Sequence, residues 1–266
     1  MGVHILDRIV ANKKAEVAQA KKAVPAADLV QRAQARTDFR PFKKALAQPG
    51  PNGVNIIAEV KRASPSKGVI RTDLDPAEYA RRYESAGAAA MSVLTDGGFF
   101  RGSIDDLDRA RAAVELPVLR KDFIISSYQV YESVALGADA VLLIVRILSE
   151  RQLRDYLDLS RELQVGALVE VHSEKEFDIA SEAGALVIGV NNRDLDVFKT
   201  DIGTSIRLAK RFSPQQTGVA ESGIHSREDI LTIHAAGIFN FLIGESLVRA
   251  DNTRGFLKNL LGVEEN

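Results

Sequence analysis

The chain has 266 residues, enough for two ordinary domains or for one α/β barrel, a fold that forms a single unit at about this size. Its 35 Lys and Arg against 36 Asp and Glu leave a net charge of -1, which excludes a general electrostatic pull toward nucleic acid or an acidic membrane; any anion must be held by local groups. There is no cysteine, which excludes disulfides, thiolate metal sites and a cysteine nucleophile, and fits a reducing cytoplasm.

Residues 1–50 are expected to form a helical extension docked on the rest of the protein. Ile5, Leu6, Ile9, Val10 and Val17 fall on one helical stripe, the mark of an amphipathic helix laid on a protein body. Lys13, Lys14, Lys21 and Lys22 raise the alternative of a membrane-surface helix, but Asp7 and Glu16 dilute that basic face. Neither lipidation nor a secretory leader is expected. Leu6 stands where a myristoylation signal wants Ser or Thr, and no small-residue cleavage site follows an uninterrupted apolar region. No apolar run approaches the roughly 20 residues that span a bilayer.

Downstream, short β-rich runs alternate with longer helical patterns, which predicts a parallel sheet. The runs are IIAEVK at 56–61, AAMSVLT at 89–95, PVLRKDF at 117–123 and ADAVLLIV at 138–145. ALVEV at 167–171, LVIGVNN at 186–192, TGVAES at 217–222 and FNFLIGES at 239–246 complete the set. A helix is expected after each. AGA, LGADA, EAGA and AAGIFN recur just before strands, where glycine ends a helix and small residues permit close helix-to-sheet contact. No Pro- or Ser-rich linker divides the eight units, so residues 1–266 are expected to form one (βα)8 TIM barrel with its N-terminal extension.

Such barrels place their chemistry at the C-terminal ends of the strands, and the polar residues of the runs gather there. Lys61 closes strand 1, Lys121 strand 3, Glu170 strand 5, Asn191 strand 6 and Glu221 strand 7, with Glu59 one pleat below Lys61 on the same face. Burying such charges unpaired costs several kcal/mol each, so they must neutralise one another, shift in pKa or meet a charged ligand. A structural ion-pair layer is the other reading, and it applies most directly to Glu59. Gly223 in AESGI and Gly244 in LIGES close strands 7 and 8, where many barrels bind phosphate with backbone N–H groups, and Ser222 and Ser246 stand beside them. Ser64 and Ser66 reach toward the same place from the loop after strand 1, restricted by Pro65.

EVKRASPSKG, SVLTD with FF and GS following, LRKDFI, LVEVH, IGVNNRDL, VAESGI and FLIGES, in this order and spacing, resemble the indole-3-glycerol phosphate synthase family of tryptophan biosynthesis. The likeness runs from ILDRIVANKKAEV to the last strand. It implies ring closure of 1-(2-carboxyphenylamino)-1-deoxyribulose 5-phosphate, with loss of carbon dioxide and water. It also implies a cytoplasmic monomer with no cofactor and no metal, a phosphorylated small-molecule substrate, and no nucleic acid or membrane partner. Other tryptophan-pathway enzymes are the candidate associates.

By the same resemblance, Lys121 is the general acid that protonates the substrate carbonyl oxygen, a role that favours an ammonium pKa lowered by burial and neighbours. Lys61 holds the substrate carboxylate and is a candidate donor in the dehydration. Glu170 stabilises the cationic intermediate and takes a proton during rearomatisation, while Glu59 orients Lys61 and shares candidacy as base. Asn191, Glu221 and Ser222 bind and position hydroxyls. Phosphate falls to Ser64, Gly223, Gly244 and the backbone of Glu245, with Arg193 at a matching polar loop position. Glu245 departs from the small residue usual there, so its carboxylate must turn away. Phe99, Phe100 and Phe123 are candidates for an apolar wall, and Asp122 and Asp194 for capping or loop salt bridges.

Arg146, just past strand 4, is a second departure, expected to reach solvent. His4, His172, His225 and His234 lack metal spacing, and His172 reads as an ordinary loop histidine. The rival chemistries are a Schiff base on Lys61 or Lys121 and isomerisation of phosphoribosylanthranilate, which needs an acid and a base but no decarboxylation.

Overall fold

The computed structural model describes residues 5–194 and 199–263. Eight parallel strands close a barrel: β1 (Asn55–Val60), β2 (Ala90–Leu94), β3 (Val118–Lys121), β4 (Ala140–Ile144), β5 (Gly166–Val171), β6 (Val187–Asn191), β7 (Thr217–Glu221) and β8 (Asn240–Ile243). Neighbours in sequence are neighbours in space, and β1 completes the ring by pairing with both β2 and β8. Each predicted run overlaps one of these strands, with β1 and β5 starting one residue earlier than their runs. The strands stop one to three residues short of the predicted C-terminal ends in most cases, so Lys61, Ser222 and Gly244 begin the loops.

Strand alternation sorts the side chains. Ile56, Ala58 and Val60 join the apolar layer beneath the outer helices, whereas Ile57 joins the barrel interior with Ala90, Leu119, Ala140, Leu142, Leu168, Val187, Val219 and Leu242. Glu59, Lys121, Glu170 and Glu221 lie on that interior parity, nearer the strands' C-terminal ends. Glycine there has a spatial use. A Cβ on Gly189 would stand 2.0 Å from Glu221 Oε1, and one on Gly244 would stand 2.5 Å from Glu59 Oε1, so each glycine makes room for a carboxylate.

The outer layer holds α4 (Pro76–Ala86), α5 (Gly97–Phe100), α6 (Ile104–Ala113), α7 (Ser127–Ala135), α8 (Glu150–Glu162), α9 (Glu174–Glu182), α10 (Gly203–Ala209), α11 (Arg227–His234), α12 (Glu245–Arg249) and α13 (Thr253–Leu261), numbered after the three helices of the extension. Side-chain caps set several starts. Asp75 accepts from Glu78 N with Pro76 in the first turn of α4, and Ser149 and Ser226 form capping boxes with Gln152 and Asp229. The recurring glycines end helices as expected: Gly87, Gly137, Gly184 and Gly237 all take positive φ, which a Cβ would disfavour. Between β1 and α4 lies an antiparallel ribbon, Ala63–Ser64 with Gly68–Val69, which holds Ser64 in the loop.

The extension comprises α1 (Ile5–Ala23), α2 (Ala26–Ala35) and α3 (Phe42–Leu46), and it covers both ends of the barrel. Leu6 and Ile9 of α1 join the interior cluster together with Phe123 and Ile144, at the C-terminal end of the strands. Phe42 and Leu46 of α3 join it from the opposite end, with the Phe42 Cβ against the first residue of β5, Gly166. Between α2 and α3, Arg36 reaches Asp139 Oδ1 at 2.6 Å, and Asp139 Oδ2 accepts from the Val118 N–H at 3.0 Å, pinning the segment beneath β3 and β4. Lys13 interrupts the apolar stripe of α1 and is nevertheless buried. Its ammonium lies 2.9 Å from Asp96, 2.8 Å from Asp122 and 2.6 Å from Glu16. Burial would lower its pKa, but Asp122, Glu16 and Asp96 together hold it above the ordinary lysine value.

Candidate active site

β1 carries Glu59 inward and delivers Lys61 just past its end, where the two side chains meet at 2.8 Å. Ser92 on β2, paired in register with Glu59, donates to Glu59 Oε2 at 3.3 Å. Lys121 ends β3 and extends its ammonium between three carboxylates on three other strands: Glu59 at 3.8 Å, Glu170 at 3.6 Å and Glu221 at 3.4 Å. All three carboxylates are buried. Two lysines and three glutamates from β1, β3, β5 and β7 thus converge on one point.

The electrostatics follow from that geometry. Burial would raise the Glu59 pKa, but Lys61 and Lys121 outweigh it and keep the carboxylate below its ordinary value, hence ionised. Glu221 goes the other way. Burial, reinforced by the Glu170 and Glu59 charges, overcomes Lys121 and pushes its carboxyl up to about 8, so it carries a proton at neutral pH. Both Glu221 oxygens are buried without a hydrogen-bond partner, as expected of a group that a ligand satisfies. For Lys121 the sequence expectation is overturned. Burial alone would lower its pKa, but Glu221, Glu170 and Glu59 hold it above the ordinary lysine value. Three carboxylates within 4 Å of one ammonium decide the sign.

The cavity above this cluster is lined by Glu59, Lys61, Lys121, Glu170, Asn191 and Glu221, and by the proposed phosphate contacts Ser64, Arg193, Ser222, Gly223, Gly244 and Glu245. Every residue selected from sequence for catalysis or phosphate binding is therefore brought to the same place. Phe100 and Phe123 line it as expected; Phe99 packs on the adjacent apolar cluster instead. Ile5, Leu6 and Ile9 of α1 add to the apolar wall, together with barrel residues such as Leu142 and Leu242.

At the phosphate end, Ser222 and Gly223 both take positive φ, 63° and 75°. Ser222 pays a backbone strain there, and Asn192 Nδ2 holds its carbonyl at 3.1 Å. Ser246 accepts or donates with His225 Nδ1 at 3.0 Å and donates to Ile224 O at 3.0 Å, tying the loops after β7 and β8 together. Arg193 bonds Ser66 and approaches Glu245 Oε2 at 3.7 Å, while Glu245 Oε1 accepts from Arg249 at 3.1 Å. The Glu245 carboxylate is thus held between two guanidinium groups, yet the residue still borders the cavity.

Several contributors escaped the sequence reading. Lys13 was visible only as one of a group of basic residues, and Asn192 and Gly189 as ordinary members of a strand run. His172 is no exposed loop residue: its side chain is 2% exposed, 3.4 Å from Glu170 and 3.2 Å from Glu176. Arg146 is exposed as expected, but its guanidinium pairs with Glu176 at 3.0 Å. Asp122 is a salt-bridge residue as expected, paired with Arg120 and Lys13.

Acid and base groups gathered at the strand ends of a closed parallel barrel are what a (βα)8 enzyme presents to a small substrate, and this chain is of that class. Residues 6–260 match the family model described as indole-3-glycerol phosphate synthase. The indole-3-glycerol phosphate synthase of Desulfosudis oleivorans is 57% identical over 258 residues, which cover 97% of this chain and 98% of the relative. That of Chlorobium chlorochromatii is 50% identical over 243 residues, covering 91% of this chain and 94% of the relative. A thiamine phosphate pyrophosphorylase structure from Pyrococcus furiosus superposes with a TM-score of 0.60 at 14% identity, over 79% of this chain and 94% of that one, a likeness of fold alone. The chain belongs to the indole-3-glycerol phosphate synthase family.

Proposed function

We propose that this site closes the indole ring of 1-(2-carboxyphenylamino)-1-deoxyribulose 5-phosphate, releasing carbon dioxide and water, with the labour divided among its lysines and glutamates. The observation that carries the reading is the Lys121 ammonium, set between Glu59, Glu170 and Glu221 at 3.4 to 3.8 Å. Lys121 enters the reaction fully protonated, the form a general acid needs. It donates to the carbonyl oxygen as the ring carbon attacks, because the alkoxide developing there is the stronger base. Lys61 holds the substrate carboxylate and donates in the dehydration, oriented by Glu59 at 2.8 Å.

Glu170 stabilises the cationic intermediate and accepts the proton released on rearomatisation; Glu59, held ionised by two lysines, is the second candidate base. Protonated Glu221 and Asn191 offer hydrogen bonds to the sugar hydroxyls, beside Ser222. Ser64, Arg193, Gly223, Gly244 and the backbone of Glu245 hold the phosphate. Leu6 and Ile9 close the apolar side against Phe100 and Phe123, which suits an anthranilate ring. Residues 1–266 act as one barrel domain, with 1–50 as its docked extension, working as a cytoplasmic monomer.

A Schiff-base mechanism requires a neutral lysine, and the raised Lys121 pKa disfavours one. The test is to mix the purified protein with the carboxyphenylamino ketose phosphate without added cofactor or metal. Indole fluorescence with stoichiometric carbon dioxide is expected. Absence of both, or covalent labelling of Lys121 on borohydride reduction, contradicts the assignment.

A further inference from the structure

Behind the cavity, a line of charged groups runs outward from Glu170. His172 follows β5 with its side chain on the same side as Glu170, and its Nε2 lies 3.4 Å from Glu170 Oε1. On the other side of the ring, Nδ1 lies 3.2 Å from Oε2 of Glu176, a residue of α9. That same Oε2 accepts the His172 backbone N–H at 2.8 Å, and Glu176 Oε1 accepts from Arg146 at 3.0 Å. Arg146 comes from the short 3₁₀ turn after β4 and is exposed. Lys121 of β3 faces the other oxygen of Glu170, at 3.6 Å. The groups around the imidazole are therefore Glu170 from β5 and Glu176 from α9, backed by Lys121 and Arg146 respectively.

Proton counting at this ring is restrictive. A neutral imidazole has one N–H, yet carboxylate oxygens stand at both nitrogens. With a single ring proton, one contact sets lone pair against lone pair in a buried place. Nε2 is buried and makes no well-formed hydrogen bond as it stands, and the oxygen it faces is Glu170 Oε1. Such bonds commonly shorten when substrate binds. Glu176 is ionised: burial would raise its pKa, but the His172 contacts and Arg146 outweigh it and lower it.

We propose that His172 is a positioning residue for Glu170, carrying a proton on each ring nitrogen so that it donates to Glu170 Oε1 on one side and to Glu176 on the other. With Lys121 at Oε2 and His172 at Oε1, the Glu170 carboxylate is fixed in plane and angle at the reacting centre. This deepens the role proposed for Glu170 and rests on it.

His172→Gln is expected to lower kcat by between about 10- and 100-fold, the scale of a misplaced reacting group, with KM within about twofold. An unchanged kcat, or a KM that rises as far as kcat falls, overturns the proposal. Because the variant could misfold, the wild type is also examined by 15N NMR of its histidine rings; the sequence has only four histidines. The His172 signal is the one remaining after His4, His225 and His234 are substituted in turn. Two protonated nitrogens at neutral pH are expected, and a single-proton tautomer overturns the proposal. Glu170→Gln separates the two readings: retained turnover there removes the catalytic role of Glu170 while leaving the two-proton signal of His172 to be judged independently.

Discussion

The Lys13 ammonium lies 2.8 Å from the Asp122 carboxylate, so the N-terminal helix is fastened to the residue that directly follows Lys121 on the barrel. Asp122 also receives Arg120 at 3.1 Å and the Thr95 hydroxyl at 2.6 Å, which makes the anchorage part of the strand-end framework.

Lys13→Met should therefore loosen the helix that supplies Leu6 and Ile9 to the cavity. Asp122 keeps two partners, but the fully buried Asp96 loses the only ion-pair partner it has among the described residues, so the expected loss is about 3–5 kcal/mol, the range of a stranded buried charge. KM should rise more than kcat falls, measured by urea unfolding and steady-state kinetics. The acid limb gives a second readout. Burial would raise the Asp122 pKa, but Arg120 and Lys13 outweigh it and bring it down to about 2, from an ordinary 3.8. Its stabilising contribution is present above pH 3.8 and is lost as pH falls through about 2. Without Lys13, that loss should be smaller and complete at higher pH.

Glu221 gives the opposite sign. Its folded-state value of about 8 exceeds the ordinary 4.5, so the folded chain binds this proton more tightly than the unfolded chain does. Stability contributed by this proton is complete below the unfolded value and declines as pH rises toward 8, by up to about 1.4 kcal/mol per pH unit. Glu221→Gln removes the titration while keeping the shape. Urea midpoints of the variant should fall less than those of the wild type across that window. Parallel slopes would remove the basis for a protonated Glu221.

Glu245 places a carboxylate beside the proposed phosphate contacts and engages Arg193 at 3.7 Å. Glu245→Ser should release Arg193 and remove a repulsion, tightening inhibition by inorganic phosphate about threefold to tenfold at low salt, with the gain shrinking as salt rises. A weaker inhibition constant in the variant would show instead that Glu245 is needed to hold Arg193 in place.

Much of this was legible because a barrel strand has a period of two. Once Glu59 is placed inward, Lys61 must follow it, and Lys121, Glu170, Asn191 and Glu221 share the cavity-side parity of their own strands. The glycines before β2, β4, β6 and β8 were legible for an equally local reason, since a helix ending in the left-handed region favours one. Long-range partnerships were not. Lys13 reads as one more basic residue of the first helix because Asp96 and Asp122, which hold it buried, lie more than eighty residues away in sequence. His172 was within reach: two residues after Glu170 it shares that residue's side, and Glu176 follows one helical turn later. The direction of the Lys121 pKa depends on distances to three carboxylates that no spacing encodes.

The account turns on Lys121 as the proton donor in ring closure, and single-turnover rates of Lys121→Ala at saturating substrate test it most directly. Turnover should drop by a factor on the order of 100 or more while phosphate affinity stays close to wild type. A variant that closes the ring at nearly the wild-type rate would place the acid elsewhere and contradict the account.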